Sequence, residues 1–329
     1  MEETLIPETV GEETEQPKKK KKISKKRKKE IIFIVVLLAY PVLQFLLTWI
    51  FVNSYSLILA FQHVSIEGTK SFAGFDNFVY VIRRIFNADL GSVTLSNGVR
   101  IPNNLMILIN SIGYGAITIF ISLPLALICS YFLSKKMPFA NVFRFIFFLP
   151  NIISIVALVY AFKMQLDSNA GLIYQMLKAM GIQLNDSVWP NTTIIVYIYC
   201  IWAGIGYNVL LLSGAIGRVP QELFESAQMD GAGNFTQFTK IMIPMIWPTI
   251  VTLIVLGMTN ILTLYLQPVL FGYSYTETIA GSIFDGVSSA QTTQYPVFAA
   301  FGLLFSLIFA PLILLVRRVA SKKYSDTEC

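Results

Sequence analysis

Two long apolar stretches of the chain contain the residues best suited to bind a ligand. On the first stretch, four residues recur at i, i+4, i+7 and i+8, which is one face of a helix: Cys200, Gly204, Tyr207 and Asn208. The second stretch carries a similar face with two hydroxyls beside it: Gly257, Asn260 and Leu264, with Thr259 and Thr263. An aromatic ring offers flat apolar contact to the C–H face of a sugar, and an amide gives its hydroxyls directional hydrogen bonds. These two faces therefore suit contact with a neutral sugar.

The same residues also have a purely structural interpretation. Asn208 and Asn260 could join neighbouring helices by hydrogen bonds, and the glycines could allow two helix backbones to approach closely. The sequence leaves both interpretations open.

Ionisable residues are absent from the interiors of the apolar stretches. Arg144 and Lys163 lie where a long side chain can reach an interface, and the single histidine, His63, falls in a loop. Ion-coupled carriers usually keep an ionisable residue at membrane depth. The sequence also lacks a G-x-x-x-x-G-K-[ST] phosphate loop. A transport pathway of this kind would be passive or would take its energy from a partner protein.

No catalytic or metal-binding constellation is apparent in the sequence. Cys129 and Cys200 fall inside apolar stretches and Cys329 is the last residue, so neither a disulfide framework nor a metal site can be argued. No nucleophile–base pair is apparent either. We expect a protein that is not an enzyme and has no cofactor of its own.

The elements that must position these residues are membrane-spanning helices. The chain is 55% hydrophobic and only 13% charged, with a mean hydropathy of +0.63. Six runs reach the ~20 apolar residues needed to cross a bilayer core: 31–52, 107–132, 142–164, 192–212, 245–266 and 295–316. They predict an all-α integral membrane protein with six transmembrane helices.

Lysine and arginine residues set the predicted orientation. Ten of the 25 lie between Lys18 and Lys29. If that region is cytoplasmic, six crossings leave only six of the 25 outside, Lys163 and Lys178 among them. This bias has the sign that the positive-inside rule requires, so both termini are predicted to be cytoplasmic.

Residues 1–29 are predicted to form a disordered cytoplasmic tail. They join an acidic stretch to a polybasic block and cannot bury a core. The block suits anionic lipid headgroups, at about 1 kcal/mol per basic residue near the surface, better than it suits a nucleic acid. Residues 30–104 are expected to form the first span and an external loop, 105–320 the remaining spans, and 321–329 a second cytoplasmic tail.

A polar, glycine-bearing segment interrupts the apolar stretches at 216–248. Pro220 can occupy the first turn of a helix, with Glu225 near the positive end of its dipole. Gly231 can end that helix without a Cβ penalty, and a second apolar face begins at Phe235. We expect two short cytoplasmic helices that meet at a glycine bend and insert into a cleft on a soluble partner. An ordinary solvated loop is the alternative.

This segment resembles the EAA loop of ABC-importer permeases, the membrane subunits of binding-protein-dependent uptake systems. The family pattern runs E-A-A, then G, then I-x-x-P. The matching residues are Glu225-Ser226-Ala227, Gly231 and Ile241-Met242-Ile243-Pro244, and Asp230-Gly231-Ala232 fits the common D-G-A form. Ser226 replaces an alanine, which is a small-for-small change. Residues 216–244 are called the EAA segment below.

Further motifs are similar to those of carbohydrate permeases of the maltose or glycerol-phosphate type, in the first-permease form. FAGFDNF at 72–78 resembles F-x-G-L-x-N-F, FRFIFFLPNII at 143–153 resembles R-x-x-x-F-L-P, and VPQEL at 219–223 matches I-P-x-E-L. In the region similar to G-L-x-N, Tyr174 stands where asparagine is usual.

The resemblance implies a type I ABC importer permease fold with its permease core at 105–320. It assigns ATPase coupling to the EAA segment, with these candidate residues: Glu225, Ser226, Ala227, Asp230 and Gly231. It places the sugar site on the two helical faces described above, with these candidate contacts: Gly204, Tyr207, Asn208, Asn260, Thr263 and Leu264.

The implied function is the passage of a sugar or oligosaccharide into the cytoplasm by alternating access. The implied partners are a cytosolic ATPase dimer that binds ATP and Mg, a second homologous permease, an extracytoplasmic solute-binding protein and the lipids of a bacterial cytoplasmic membrane. Four alternatives remain: an ABC permease for peptides or amino acids, an ion-driven secondary carrier, a membrane-bound enzyme and a purely structural subunit.

Overall fold

The computed structural model describes residues 25–94, 100–135, 137–182, 189, 193–272, 275–289 and 292–322. The predicted disordered tail lies almost entirely outside these residues, as do most of the predicted C-terminal tail and Cys329. The chain divides into two compact units after Tyr55.

The first unit is a single apolar helical stretch. It comprises α1 (Lys25–Gln44), a π-helical segment (Phe45–Ile50) and the first turn of α2 (Phe51–Ala60). The large apolar side chains of its predicted span, 31–52, are exposed. A helix that presents apolar side chains on all sides is suited to a lipid environment, so this stretch agrees with the first predicted span.

The second unit begins at Ser56 and is mostly helical. After the end of α2 its strands and helices are, in chain order, β1 (Gln62–Val64), β2 (Lys70–Phe72), α3 (Asp76–Phe86), β3 (Ser92–Thr94), β4 (Arg100–Pro102), α4 (Asn103–Ile117), α5 (Leu123–Ser134), α6 (Ala140–Ile152), α7 (Ile155–Gln165), α8 (Leu172–Ala179), α9 (Thr193–Ile216), α10 (Gln221–Met229), α11 (Asn234–Thr236), α12 (Ile243–Met245), α13 (Trp247–Thr263), α14 (Leu266–Phe271), α15 (Ile279–Ser289) and α16 (Tyr295–Lys322). Two π-helical segments join neighbouring helices: Thr118–Ser122 and Gln237–Met242.

Two short hairpins precede α4, so the all-α prediction needs a correction. β1 pairs antiparallel with β2, with Gln62 opposite Phe72, and β3 pairs with β4, with Ser92 opposite Pro102. Each described strand is three residues long. Strands this short give too weak an alternation to stand out beside long apolar helices.

Four helical stretches are each long and apolar enough to cross a membrane: 28–60, 103–134, 193–216 and 292–322. The other two predicted spans are bent. α6 and α7 meet at 101°, and the stretch Asn234–Met245 meets α13 at 75°. Counting each bent pair as one span gives six.

The first bend follows a proline in an apolar run. α6 contains Pro150 and ends at Ile152, and the backbone is extended at Ile153 and Ser154 before α7 begins. A proline inside a helix removes a backbone donor and crowds the preceding turn, which is a common cause of sharp bends. The bend exposes backbone and side chains next to α9.

α9 is the central helix of this unit and packs against α5 and α6. Gly206 of α9 lies so close to α6 that a Cβ there would stand 1.8 Å from the carbonyl oxygen of Phe147. On the other side, Ser130 Oγ donates to the carbonyl of Val209 at 3.3 Å. The buried residues of α5 and α9 form one hydrophobic cluster with Met242 and the start of α13.

Candidate functional site

A cavity of about 470 Å³ lies among the elements that surround α9. The lining comes from α9, the bend between α6 and α7, the π-helical segment Thr118–Ser122, α13 and the residues just after it. We call it the central cavity. Five of the six predicted sugar contacts line it: Gly204, Tyr207, Asn208, Asn260 and Leu264. Two helices that are distant in sequence thus present these residues to one space.

Thr263 is the predicted contact that lies outside the cavity lining. Its side chain is exposed, and its hydroxyl donates to the carbonyl of Thr259 on the same helix at 3.0 Å. Helix geometry puts Thr263 on the same face as Thr259 and Asn260, but it is the last residue of α13 and falls outside the lining.

The two asparagines of the cavity differ in their surroundings. Asn208 is 8% exposed, and its Nδ2 lies 3.5 Å from Ser122 Oγ. This contact joins α9 to the π-helical segment, as the structural interpretation expected. Asn260 is half-buried, and its side-chain amide makes no hydrogen bond within the described parts of the chain. The Asn260 amide is therefore available to a ligand.

Tyr207 offers the aromatic surface that the sequence analysis expected. It is 45% exposed and lines the central cavity from α9. Next to it, Gly204 has room, because a Cβ there would meet Ser122 Oγ at 3.6 Å, an ordinary contact. Gly257 on α13 is different: a Cβ there would come within 2.9 Å of Ile119. Gly257 thus serves close helix packing, whereas Gly204 faces open volume.

Several polar lining residues were not among the predicted contacts. Asn151 follows Pro150 in the bent span, and its Nδ2 donates to the carbonyl of Ala203 at 3.2 Å. Gln267 lies on α14, and Thr118 lines the cavity from the π-helical segment. A polar residue inside an apolar run was the available signal for Asn151, but its place beside Ala203 depends on the packing of α6 against α9.

The described lining of the central cavity contains no Asp, Glu, His, Lys or Arg. Its polar groups are amides, hydroxyls and a thiol, set among aromatic and aliphatic side chains. The volume lies within the range of small-molecule sites. Such a lining suits a neutral, hydroxyl-rich solute better than an ion, because an ion needs a compensating charge. No group of three or more metal-ligating side chains is found among the described residues.

The EAA segment forms the predicted pair of helices around a glycine bend. α10 covers Gln221–Met229, with Pro220 at its cap position instead of in its first turn. Gly231 has a φ of +78°. Its N–H bonds to the carbonyl of Gln228 at 3.1 Å, and the N–H of Ala232 bonds to that of Ala227 at 2.8 Å. This is the Schellman arrangement, in which a left-handed residue ends a helix.

One side of the EAA segment is exposed. Of the predicted coupling residues, four are exposed and one is half-buried: Glu225, Ser226, Asp230 and Gly231, with Ala227. Three apolar side chains stand beside them in solvent: Leu223 at 40% exposure, Met229 at 84% and Phe235 at 79%. Exposed apolar side chains with carboxylates around them are typical of a protein–protein contact surface.

The opposite side of the EAA segment is buried against the rest of the unit. Gln237 is 2% exposed and Met242 is fully buried. A second cavity of about 570 Å³ lies between this side and the ends of α5, α6 and α9. Glu225, Lys135 and Arg144 line it. The EAA segment is thus held by the helices on one side and open on the other.

The loop between α14 and α15 is tied to the middle of α4. Asn110 is 3% exposed, and its Nδ2 donates to the carbonyls of Tyr275 at 2.6 Å and Glu277 at 3.0 Å. Part of Glu277 is open to solvent, but burial raises the pKa of its carboxyl, and the nearby Asp285 carboxylate raises that pKa further.

Residues 122–323 match the family of binding-protein-dependent transport system inner membrane components. This match covers more than half of the chain and includes α5, α9, the EAA segment and α13. The chain belongs to this family.

Curated relatives of the permease are themselves described as transport permeases. This chain is 27% identical to the probable ABC transporter permease protein YurN of Bacillus subtilis over 69% of this chain and 75% of the relative. It is 28% identical to the lactose transport system permease protein LacF of Rhizobium radiobacter over 52% of this chain and 58% of the relative. It is 25% identical to the arabinooligosaccharides transport system permease protein AraP of Bacillus subtilis over 64% and 62%. The matches to LacF and AraP thus span less than two thirds of those proteins.

A solved structure shares the permease's fold at low sequence identity. It is described as a bacterial ABC transporter involved in the import of the acidic polysaccharide alginate. The TM-score is 0.71 with 20% identity, over 91% of this chain and 98% of the other. A second structure shows the alginate transporter in complex with an alginate pentasaccharide-bound periplasmic protein and has a TM-score of 0.69. This chain therefore shares the fold of a chain of the alginate ABC transporter.

Proposed function

We propose that this permease is the membrane subunit of an ATP-driven importer that passes a neutral sugar or oligosaccharide into the bacterial cytoplasm. The observation that carries the proposal is the central cavity. It brings Tyr207 and Asn260 together from two helices, leaves their polar groups open and has no charged residue in its described lining. Relatives that transport lactose and arabinooligosaccharides support the substrate class.

The energy comes from a separate ATPase dimer in this proposal. The exposed side of the EAA segment, with Leu223, Met229 and Phe235, suits docking into a cleft on a soluble partner. ATP and Mg would be bound by that partner. A second permease completes the pathway, and an extracytoplasmic solute-binding protein delivers the sugar, as the complex of the alginate transporter with its periplasmic protein suggests.

Transport follows alternating access in the proposed mechanism. The central cavity holds the sugar by aromatic contact and hydrogen bonds to amides, and closure of the ATPase dimer moves the EAA segments of the two permeases. That motion exchanges an inward-open for an outward-open cavity. A hydroxyl-rich solute needs no protonation step here, since the cavity lining makes only contacts that a neutral ligand can satisfy.

An uptake assay tests the proposal. Cells that express the chain with its native partners are offered a panel of radiolabelled disaccharides, oligosaccharides, peptides and amino acids. We expect accumulation of at least one sugar, and its loss when cellular ATP is depleted. Accumulation of a peptide or amino acid would assign another substrate class. Accumulation that collapses with an uncoupler while ATP is maintained would indicate an ion-driven carrier.

A further inference from the structure

The end of α5 is tied to the EAA segment by a lysine that no motif points to. Lys135 follows the last residue of α5. Its Nζ donates to Asn234 Oδ1 and, at 3.3 Å, to Gln237 Oε1. The same Nζ lies 4.8 Å from the centroid of the Tyr131 ring. One ammonium group therefore contacts two residues of the EAA segment and one turn of α5 at once.

Tyr131 reinforces this connection from within α5. It is 4% exposed, and its hydroxyl donates to the backbone carbonyl of Asn234 at 2.8 Å. Its ring packs edge-on against Phe238, with the ring centroids 5.1 Å apart. The start of the second EAA helix is thus held by a hydrogen bond and by aromatic packing.

Gln237 extends the connection to the glycine bend. Its Oε1 accepts from Lys135, and its Nε2 donates to the carbonyl of Ala232 at 2.9 Å. Ala232 is the residue whose N–H closes the Schellman motif at Gly231. A continuous set of hydrogen bonds therefore runs from the bend through Gln237 to Lys135 and α5.

α5 leads directly from this point to the central cavity. Asn103–Ser134 is one continuous helical stretch that includes the π-helical segment Thr118–Ser122. Thr118 and Ser122 line the central cavity. At 1.5 Å per residue, Ser122 and Lys135 are separated by roughly 20 Å of helix. α5 thus forms a continuous hydrogen-bonded path between Lys135 and the cavity wall.

We propose that Lys135 is the positioning residue that transmits movement of the EAA segment to α5 and so to the wall of the central cavity. This inference rests on the proposed function, because it needs an ATPase to move the EAA segment. Lys135 is itself exposed, and its bond to Gln237 is partly buried; charge-assisted hydrogen bonds are about twice as strong as neutral ones. Lys135 thus holds the two elements together during the movement, while the exposed side of the EAA segment contacts the ATPase.

Hydrogen exchange of the purified native complex, with and without ATP and Mg, tests this role without knowledge of the sugar. In the wild type we expect ATP to change the exchange of both the EAA segment and the last turn of α5. In Lys135→Met the EAA segment should still respond, but the response of α5 should fall by roughly five- to tenfold. Lys135→Arg, which keeps the charge and donors, should restore it. Lys322→Met, at the exposed end of α16, is the control for loss of a lysine.

The outcomes separate the two proposals. An α5 response in Lys135→Met equal to that of the wild type would overturn the role of Lys135 and leave the importer proposal standing. Loss of the ATPase from the Lys135→Met complex would also overturn it, because Lys135 would then belong to the docking surface. A wild-type complex without an ATPase would overturn both proposals.

Discussion

Within the described residues, the Tyr207 hydroxyl and the Asn260 side-chain amide line the central cavity without a hydrogen bond, unlike the polar groups of Asn208 and Thr263. Asn208 is buried beside Ser122, and the Thr263 hydroxyl bonds to its own helix. The sequence placed all four on suitable faces, but it could not show which amides were already used. That distinction depends on the position of the π-helical segment, which brings Ser122 to Asn208.

Removal of the Asn260 amide should weaken substrate handling. In Asn260→Leu the side chain keeps its size but loses one or two hydrogen bonds to the sugar, each with a net value of about 1 kcal/mol. We expect the half-saturating sugar concentration for uptake to rise roughly five- to thirtyfold. The matched control is Thr263→Val on the same helix, which removes a hydroxyl outside the cavity and should leave that concentration unchanged. Equal effects of the two substitutions would contradict the assignment of Asn260 to the site.

The chain needs glycine at position 231 because of its backbone conformation, and not because a side chain there would clash with a neighbour. A Cβ there would meet nothing within 4 Å, but φ is +78°, and a side chain in the left-handed region costs about 1–2 kcal/mol. We expect Gly231→Val to speed hydrogen exchange of the Ala232 amide by roughly five- to thirtyfold, whereas Gly231→Asn should change it little because asparagine tolerates this conformation. An exchange rate in Gly231→Val equal to that of the wild type would show that the bend does not need this conformation.

At the scale of elements, hydropathy predicts the spans, and Pro150, Pro244 and Pro248 within apolar runs indicate where a span can kink, but not by how much. Hydropathy locates an apolar run but does not tell a straight helix from two helices that meet at 101°. The bend at Ile153 depends on Pro150 and on the close approach of α6 to α9, which is a tertiary contact. The link from Lys135 to Gln237 was likewise beyond the sequence, because about a hundred residues separate its two ends.

The packing of α6 on α9 predicts that alanine is costly at one glycine of α9 and harmless at another glycine two residues away. Gly206→Ala would place a Cβ 1.8 Å from the carbonyl oxygen of Phe147. Relief of that clash requires a backbone shift, and such overpacking typically costs 1–3 kcal/mol. We expect a clearly lower melting temperature for Gly206→Ala in detergent. Gly204→Ala, whose Cβ would have an ordinary contact at 3.6 Å, should melt like the wild type. A wild-type melting temperature for both would mean that the two helices are not packed as described.

The loop that Asn110 holds should loosen as pH rises. A raised pKa means that the Glu277 carboxyl binds its proton more readily in the folded loop than in an unfolded one. This contribution to stability is therefore fully present below the ordinary carboxyl pKa and is lost as pH rises through the raised value. We expect opening of the loop, read as hydrogen exchange of the Ile279 amide after correction for the intrinsic pH dependence of exchange, to increase over that interval. In Glu277→Gln the increase should disappear. A pH response that persists in Glu277→Gln would assign the effect to another group.

At the scale of the whole molecule, the chain is a membrane permease with a central cavity among its helices and an EAA segment that is exposed on one side. Its family is established by residues 122–323. The helix pair of the EAA segment could be predicted from sequence, while its coupling role stays a prediction that rests on the spacing of its glutamate and glycine. The sugar could not be named, since a few amides and an aromatic ring accept many polyols.

The most direct test of the central claim is purification of a tagged copy from native membranes in mild detergent, with mass spectrometry of its stoichiometric partners. The wild type and Gly231→Pro are compared, because a proline at the bend has a φ near −65° and would distort the docking helices. We predict that the wild type retains a second permease and an ATPase, and that Gly231→Pro loses or depletes the ATPase. Recovery of this chain alone, equally in both forms, would contradict the claim that the EAA segment couples the permease to an ATPase.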